Sequence, residues 1–296
     1  MKIRDEIRVT FSGREHLLRL MLINAVVFLF FALLKLLAFL GLPGEVLRLG
    51  QLLELPSNLH AFFLKPWTLF TYMFVHYNFM HVVFNLLVMY WTGRIFCEFQ
   101  PQKRLTAIYI LGGLFGGIAF VLLYNIIPAF EAVSNLSVLI GASAGVFAIM
   151  VASAMMAPNY PVQMLLFGEI KLKYVAIALT ILYLVSIPDS NSGGNIAHLG
   201  GGLIGLFYIQ FMNKGINLGI WIEFLLDLPS KMTTKKIKVV HSNTSKRISA
   251  VSSKTKMQQD VIDAILDKIS KSGYDSLTSK EKETLFKASG DSKDPI

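Results

Sequence analysis

From Leu20 to about Leu40 the chain runs through roughly twenty residues with a single charge, Lys35. Comparable apolar stretches return at about 80–97, 104–124, 138–156, 171–187 and 196–213. An apolar run of ~20 residues is what crosses the ~30 Å hydrocarbon core of a bilayer as a helix. Six such runs exclude an ordinary water-soluble globule, whose surface must still be wetted. Composition agrees: 16% of the residues are charged, against roughly 25% in soluble domains, and 54% are hydrophobic. The expected fold class is all-α, a polytopic membrane protein with a six-transmembrane-helix bundle and a small C-terminal helical tail.

The first run follows Lys2, Arg4, Arg8, Arg14 and Arg19. A signal peptide has an apolar region of about 7–15 residues, so this longer run reads as a retained first span, with Lys35 close enough to its end to snorkel. The connection 42–79 is too aromatic for a solvated linker and too interrupted by Pro43, Pro56 and Pro66 for a span. It is expected to fold at the membrane interface. Residues 216–228 read as an interfacial helix.

Positive charge orients the spans. It is dense in segment 1–19 and in the tail, and present between spans two and three as Arg94, Lys103 and Arg104. The connections 125–137 and 188–195 contain no Lys or Arg. Both termini are therefore expected in the cytoplasm, with loops one, three and five facing outward. Four parts follow: a cytoplasmic segment 1–19, a membrane core 20–229, a flexible basic linker 230–259 rich in Lys, Ser and Thr, and a small helix–turn–helix 260–296 with Val261, Ile262, Ile265, Leu266 and Ile269 at helical spacing.

The net charge of +9 invites a nucleic-acid reading, but residues 230–296 hold +6 of it. A basic tail beside a bilayer is more simply an anchor to anionic lipid. The expected partner is thus the lipid bilayer, not nucleic acid. One cysteine, Cys97, excludes an intrachain disulfide and a cysteine-cluster metal site. A small transporter would show repeated halves with paired broken helices; residues 1–115 and 116–229 show no repeat.

Polar groups inside spans are costly and need a reason. Gly141-Ala-Ser143-Ala-Gly145 has the Gly-x-Ser-x-Gly form of a nucleophile elbow, though no strand is expected before it. Taken alone it also suits close helix packing through small residues. His198, Gly201, Gly202 and Gly205 follow i, i+3, i+4, i+7 and share one helical face. The glycines would let another backbone approach; alternatively the histidine simply bonds a carbonyl. His76, His81 and Asn85 cluster at the start of the second span. They make a poor metal site, since Asn is a weak ligand and no Asp, Glu or Cys stands nearby.

Topology separates packing from chemistry. Ser143, His198, His81 and Asn85 all fall in the first turns of spans that begin on the outward side. Scattered packing residues would have fallen at inner ends as well. The expected site therefore has Ser143 as nucleophile and His198 as its base. His81, Asn85 and the Ser143 backbone N–H would donate to an oxyanion. No acidic third member is in view, and Phe147, four residues after Ser143, could pack under the imidazole. No cofactor and no metal are expected.

These residues resemble a rhomboid intramembrane serine protease over about residues 60–210. The resemblance rests on His76-x4-His81-x3-Asn85, on Gly141-Ala-Ser143, and on Ala197-His198 followed by glycines. It implies a Ser–His dyad that cuts transmembrane segments of single-span membrane proteins near the outer interface. It also implies a mobile fifth helix and a lid at Ser186–Asn195. The alternative is a catalytically inactive rhomboid-like protein that binds membrane clients. Thr68 after Trp67, Cys97 with Glu98 one place later, and Ala144 after Ser143 depart from the family pattern. The lack of a transit-type N-terminus points to a bacterial inner membrane.

Overall fold

The computed structural model describes residues 16–41, 48–164, 168–189, 191–233 and 245–290. Most of the basic segment 1–19, and residues 234–244 of the expected linker, lie outside them. The chain divides into two units, at residues 233 and 234.

In the first unit, α1 (His16–Phe39) is apolar on all sides, as a lipid-facing helix must be. Its one buried polar side chain in mid-helix, Asn24, donates to the Leu20 carbonyl at 2.8 Å and reaches the Tyr109 hydroxyl at 3.4 Å. Then come α2 (Phe79–Phe99) and α3 (Gln102–Ile126). Asn78 caps α2 by accepting from the His81 N–H. These three helices are each long and apolar enough to cross a membrane. The next two, α4 (Ser143–Met156) and α5 (Leu172–Val185), are apolar but have 14 residues each. That is about 21 Å of helix, shorter than the expected runs 138–156 and 171–187. The last two helices of the unit are α6 (Ser192–Asn213) and α7 (Ile220–Thr233).

The lost length has a physical account. Val138 and Leu139 leave the helix to form β2, which pairs antiparallel with β1 (Leu55–Pro56) in register Leu55↔Leu139, Pro56↔Val138. Before α5, β3 (Pro161–Met164) and β4 (Gly168–Lys171) make a hairpin. The molecule is thus mostly helical rather than purely all-α, and these two small sheets correct that expectation. Strands of two and four residues are too short for alternation to stand out among apolar spans.

The connection 48–78 packs on the bundle through short helices at Leu59–Leu64 and Thr68–Thr71. The Tyr72 hydroxyl donates to the Gly113 carbonyl at 2.6 Å and the Tyr109 hydroxyl to the Met73 carbonyl at 2.9 Å. Asn125 donates to the Ser57 carbonyl at 2.7 Å, so this connection is also tied to the end of α3.

Helix α4 lies against α2, α3 and α6, with most of its residues buried. A Cβ added at Gly201 or Gly205 of α6 would land on the carbonyl oxygens of Ala144 and Ala148 of α4. Only hydrogen fits there, so the glycine face brings two backbones to near contact.

Helix α7 begins at Ile220, later than the expected 216, because Asn217 turns the chain by accepting from the Gly219 N–H at 3.0 Å. Its buried Glu223 lies 3.6 Å from both Lys103 and Arg104 at the start of α3 and accepts from Asn217 at 2.7 Å. Ile222 is buried beside it while Trp221 and Leu225 stay exposed.

The second unit holds α8 (Ser245–Ser272), a 3-10 turn at Tyr274–Ser276, and α9 (Ser279–Gly290). Helix α8 begins inside the stretch 230–259 read as linker. No Gly or Pro interrupts residues 245–272, and a polar, basic composition solvates a helix without breaking it. Gly273 (φ +77°, ψ 162°) ends it in a positive-φ extended conformation that suits glycine. Thr278 caps α9 in a capping box: Glu281 accepts from the Thr278 N–H at 2.7 Å, and the Glu281 N–H reaches the Thr278 hydroxyl.

Candidate active site

The site starts with a turn. After β2 the chain passes Ile140 and reverses at Gly141, whose φ of +112° suits glycine alone. A Cβ there would also lie 2.7 Å from the His81 ring. Two hydrogen bonds pin the turn. The Gly141 N–H donates to the Tyr72 carbonyl at 2.9 Å, and the Ala142 N–H donates to His76 Nε2 at 3.2 Å. Nε2 therefore accepts, so Nδ1 carries the proton and donates to the Phe74 carbonyl at 3.3 Å. Ser143 follows as the first residue of α4. A strand, a positive-φ glycine and a helix start thus surround the serine, contrary to the expectation that no strand precedes it.

From α6, His198 reaches across the glycine contact. Its Nε2 stands 2.6 Å from Ser143 Oγ. His198 Nδ1 is buried and has no hydrogen-bond partner among the described residues. Asp189 and Glu131 do not line the cavity in which the pair sits.

His81 and Asn85, one turn apart on α2, line that same cavity of about 650 Å³ with Ser143 and His198. Asn85 Nδ2 spends one hydrogen on the His81 carbonyl at 2.9 Å and lies 3.5 Å from His76 Nε2. The His76 and His81 rings meet edge to face with centres 5.0 Å apart. His76 is fully buried, and its part is to hold the turn rather than to face the cavity. The first N–H groups of α4 have no intrahelical acceptor, so they and the positive end of the helix dipole favour negative charge beside Ser143. Among the described residues no group of three or more His, Cys, Asp or Glu is placed to hold a metal.

Phe147 is not the ring against the imidazole. Tyr183 of α5 takes that place, its centre 4.3 Å from that of His198. Phe147 meets the edge of Tyr183 at 5.0 Å and so reaches the histidine at one remove. Nothing in the sequence singles out Tyr183, a tyrosine in an apolar run with no motif around it.

A family model for the rhomboid domain matches residues 64–214. The chain belongs to the rhomboid family. The rhomboid match begins in the connection after α1 and takes in α2 to α6, the helices that carry all four cavity residues. Together with the apolar helices it makes this an integral membrane protein. A second model, a family of unknown function (DUF6576), matches residues 251–291, in the second unit. No curated protein matches the chain.

Proposed function

We propose that this protein is an intramembrane serine endopeptidase that cuts transmembrane segments of single-span membrane proteins near the outer interface. The observation that carries this reading is the 2.6 Å approach of His198 Nε2 to Ser143 Oγ, both of which line a cavity of about 650 Å³. In this reading α1 to α6 are six spans, both termini are cytoplasmic, and the membrane is a bacterial inner membrane. Helices α4 and α5 need not match the full bilayer thickness where protein surrounds them or lipid thins locally.

His198 Nε2 takes the Ser143 proton as Oγ attacks the scissile carbonyl, and the carbonyl oxygen becomes an oxyanion. The Ser143 N–H, Asn85 Nδ2 and His81 are the donors that meet it. The tetrahedral adduct collapses as the peptide C–N bond breaks, and His198 passes its proton to the leaving amine. Water then attacks the acyl-enzyme, with His198 again accepting a proton, and Ser143 is regenerated.

The test uses purified protein in detergent with a single-span substrate. Cleavage by the parent, lost in both Ser143→Ala and His198→Ala, is the expected result. Variants that cut as well as the parent would remove the dyad. A parent that neither cuts nor takes a fluorophosphonate at Ser143 would instead fit a client-binding protein without activity.

A further inference from the structure

Helix α7 turns its acidic residues toward protein and its large apolar side chains outward. A helix on a water-bathed surface does the opposite. Glu223 and Asp227, one turn apart, are drawn to the start of α3. Glu223 lies 3.6 Å from both Lys103 and Arg104, and Asp227 lies 3.4 Å from Lys103. On the same side Ile222 is buried and Leu226 packs on the core. The other side carries two apolar pairs at i, i+4, Ile220 with Phe224 and Trp221 with Leu225. All four are between 47% and 65% exposed.

Contiguous exposed apolar surface marks a membrane or a protein contact, and two observations choose the membrane. The first is depth. Lys103 and Arg104 are the second and third residues of α3, a helix long and apolar enough to cross a bilayer. The first turn of such a helix lies at a membrane surface, and the ion pairs hold α7 at that level. The second is continuity. On α6, Leu203, Phe207 and Phe211 follow i, i+4, i+8 and are all exposed, as on a helix that meets lipid. This stripe ends at the turn that leads into α7. There the Ile216 N–H donates to the Phe211 carbonyl at 3.0 Å, Gly215 (φ +80°) reverses the chain, and Ile216 is again exposed. At the same turn Lys214 Nζ stands 5.9 Å from the centre of the Phe211 ring, the arrangement of a long cation whose stem follows apolar surface while its head seeks polar groups.

We propose that α7 lies in the interfacial layer of the bilayer, at the surface where α3 begins, with Ile220, Trp221 and Leu225 inserted among the acyl chains of that leaflet. The proposal goes beyond the protease reading and does not depend on it. An ordinary interfacial helix keeps its charged face in water. In α7 the bundle takes the place of water: Lys103 and Arg104 pair with the carboxylates that would otherwise oppose insertion. Trp221 suits the boundary, since its ring is apolar and its N–H can meet the headgroup layer.

The experiment uses the full chain in phosphatidylcholine–phosphatidylglycerol vesicles. Cys97 is the one cysteine of the sequence, so a Cys97→Ala background accepts single nitroxide labels at Ile220→Cys, Trp221→Cys and Leu225→Cys. Oxygen, which concentrates in lipid, should relax all three labels more strongly than a water-soluble nickel chelate does. Stronger relaxation by the chelate would place this face in water. Weak relaxation by both would show that protein covers it, a second copy of the chain or another part of it. Either result overturns the proposal.

A second measurement leaves every side chain of the parent in place, so it stands even where a labelled variant fails to fold. The chain has three tryptophans, and the emission of Trp221 is the difference between the parent and Trp221→Phe. In vesicles whose acyl chains are brominated near the glycerol end, that difference should be strongly quenched relative to unbrominated vesicles. An unquenched difference would overturn the proposal. Neither readout needs a substrate, so a parent that fails to cleave defeats the protease reading alone.

Discussion

The Ala144 carbonyl oxygen occupies the space in which a side chain on Gly201 would have to begin. This contact sets the separation of α4 and α6, and with it the distance between a nucleophile on one helix and a base on the other.

Gly201→Ala should therefore push α6 from α4. Overpacking of this kind costs about 1–3 kcal/mol, and a displacement of the order of 1 Å costs about 10²-fold in rate. Lowered thermal stability in detergent, together with turnover reduced well beyond what unfolding explains, is the expected pair of results. Parent-like turnover would show that the helices slide without separating the dyad.

Asn85→Ala should slow the reaction without disturbing the fold. Loss of one oxyanion donor typically costs about 10²–10³ in kcat. Among the described residues Asn85 bonds the His81 carbonyl and lies near His76 Nε2, so thermal stability should stay close to that of the parent. Unchanged kcat would take Asn85 out of the oxyanion role.

His76→Ala should do the reverse. It removes the acceptor of the Ala142 N–H, and a buried donor left unpaired costs about 1–3 kcal/mol. The turn before Ser143 then loses one of its two pins. The thermal midpoint should fall, and activity should recover partly on cooling. A variant as stable as the parent would show that water replaces the imidazole.

Glu223→Ala should loosen α7 from α3. Removing one partner of a fully buried ion pair costs about 3–5 kcal/mol. Lys103 and Arg104 retain 40% and 30% exposure, so water screens them and the loss should be nearer 1 kcal/mol. Faster proteolysis between residues 214 and 230 is the measurement. No change would mean that Ile222 and the pairing of Asp227 with Lys103 at 3.4 Å dock the helix without it.

In the tail, the hydrogen bond from Lys268, followed by those from Thr278, lowers the Glu281 carboxyl from 4.5 to about 2. The folded form thus favours the charged group. Its contribution to the α8–α9 hairpin is complete above pH 4.5 and is lost as pH falls toward 2. Amide exchange of residues 278–286 in the full chain, corrected for intrinsic rates, should show protection falling across that window. Glu281→Gln should lower protection at neutral pH and flatten the pH dependence. A parent whose protection does not respond to pH there would contradict the assignment.

How much of this was legible beforehand follows from the range of the interactions involved. A serine or histidine in an apolar run stands out because desolvation makes it costly, and the spacing of His198, Gly201, Gly202 and Gly205 is a property of one helix. Ser143, His198, His81 and Asn85 could therefore be picked out, and their common side followed from the charges between spans. The four lie around one cavity, yet the 2.6 Å between Ser143 and His198 is a fact of packing between α4 and α6.

What the tertiary structure alone decided are relations between distant segments. The pairing of Leu55 with Leu139 joins residues 84 positions apart and shortens α4, which no local pattern announces. Phe147 had the right spacing to lie under the imidazole, but Tyr183 is there, because α5 packs beside both α4 and α6 and brings its ring against both. Composition and periodicity speak for one segment at a time. They determined the membrane class, the order of the apolar helices and the polar residues worth asking about. Which ring faces His198, and how near α6 comes to α4, depend on contacts that exist only after the helices have packed.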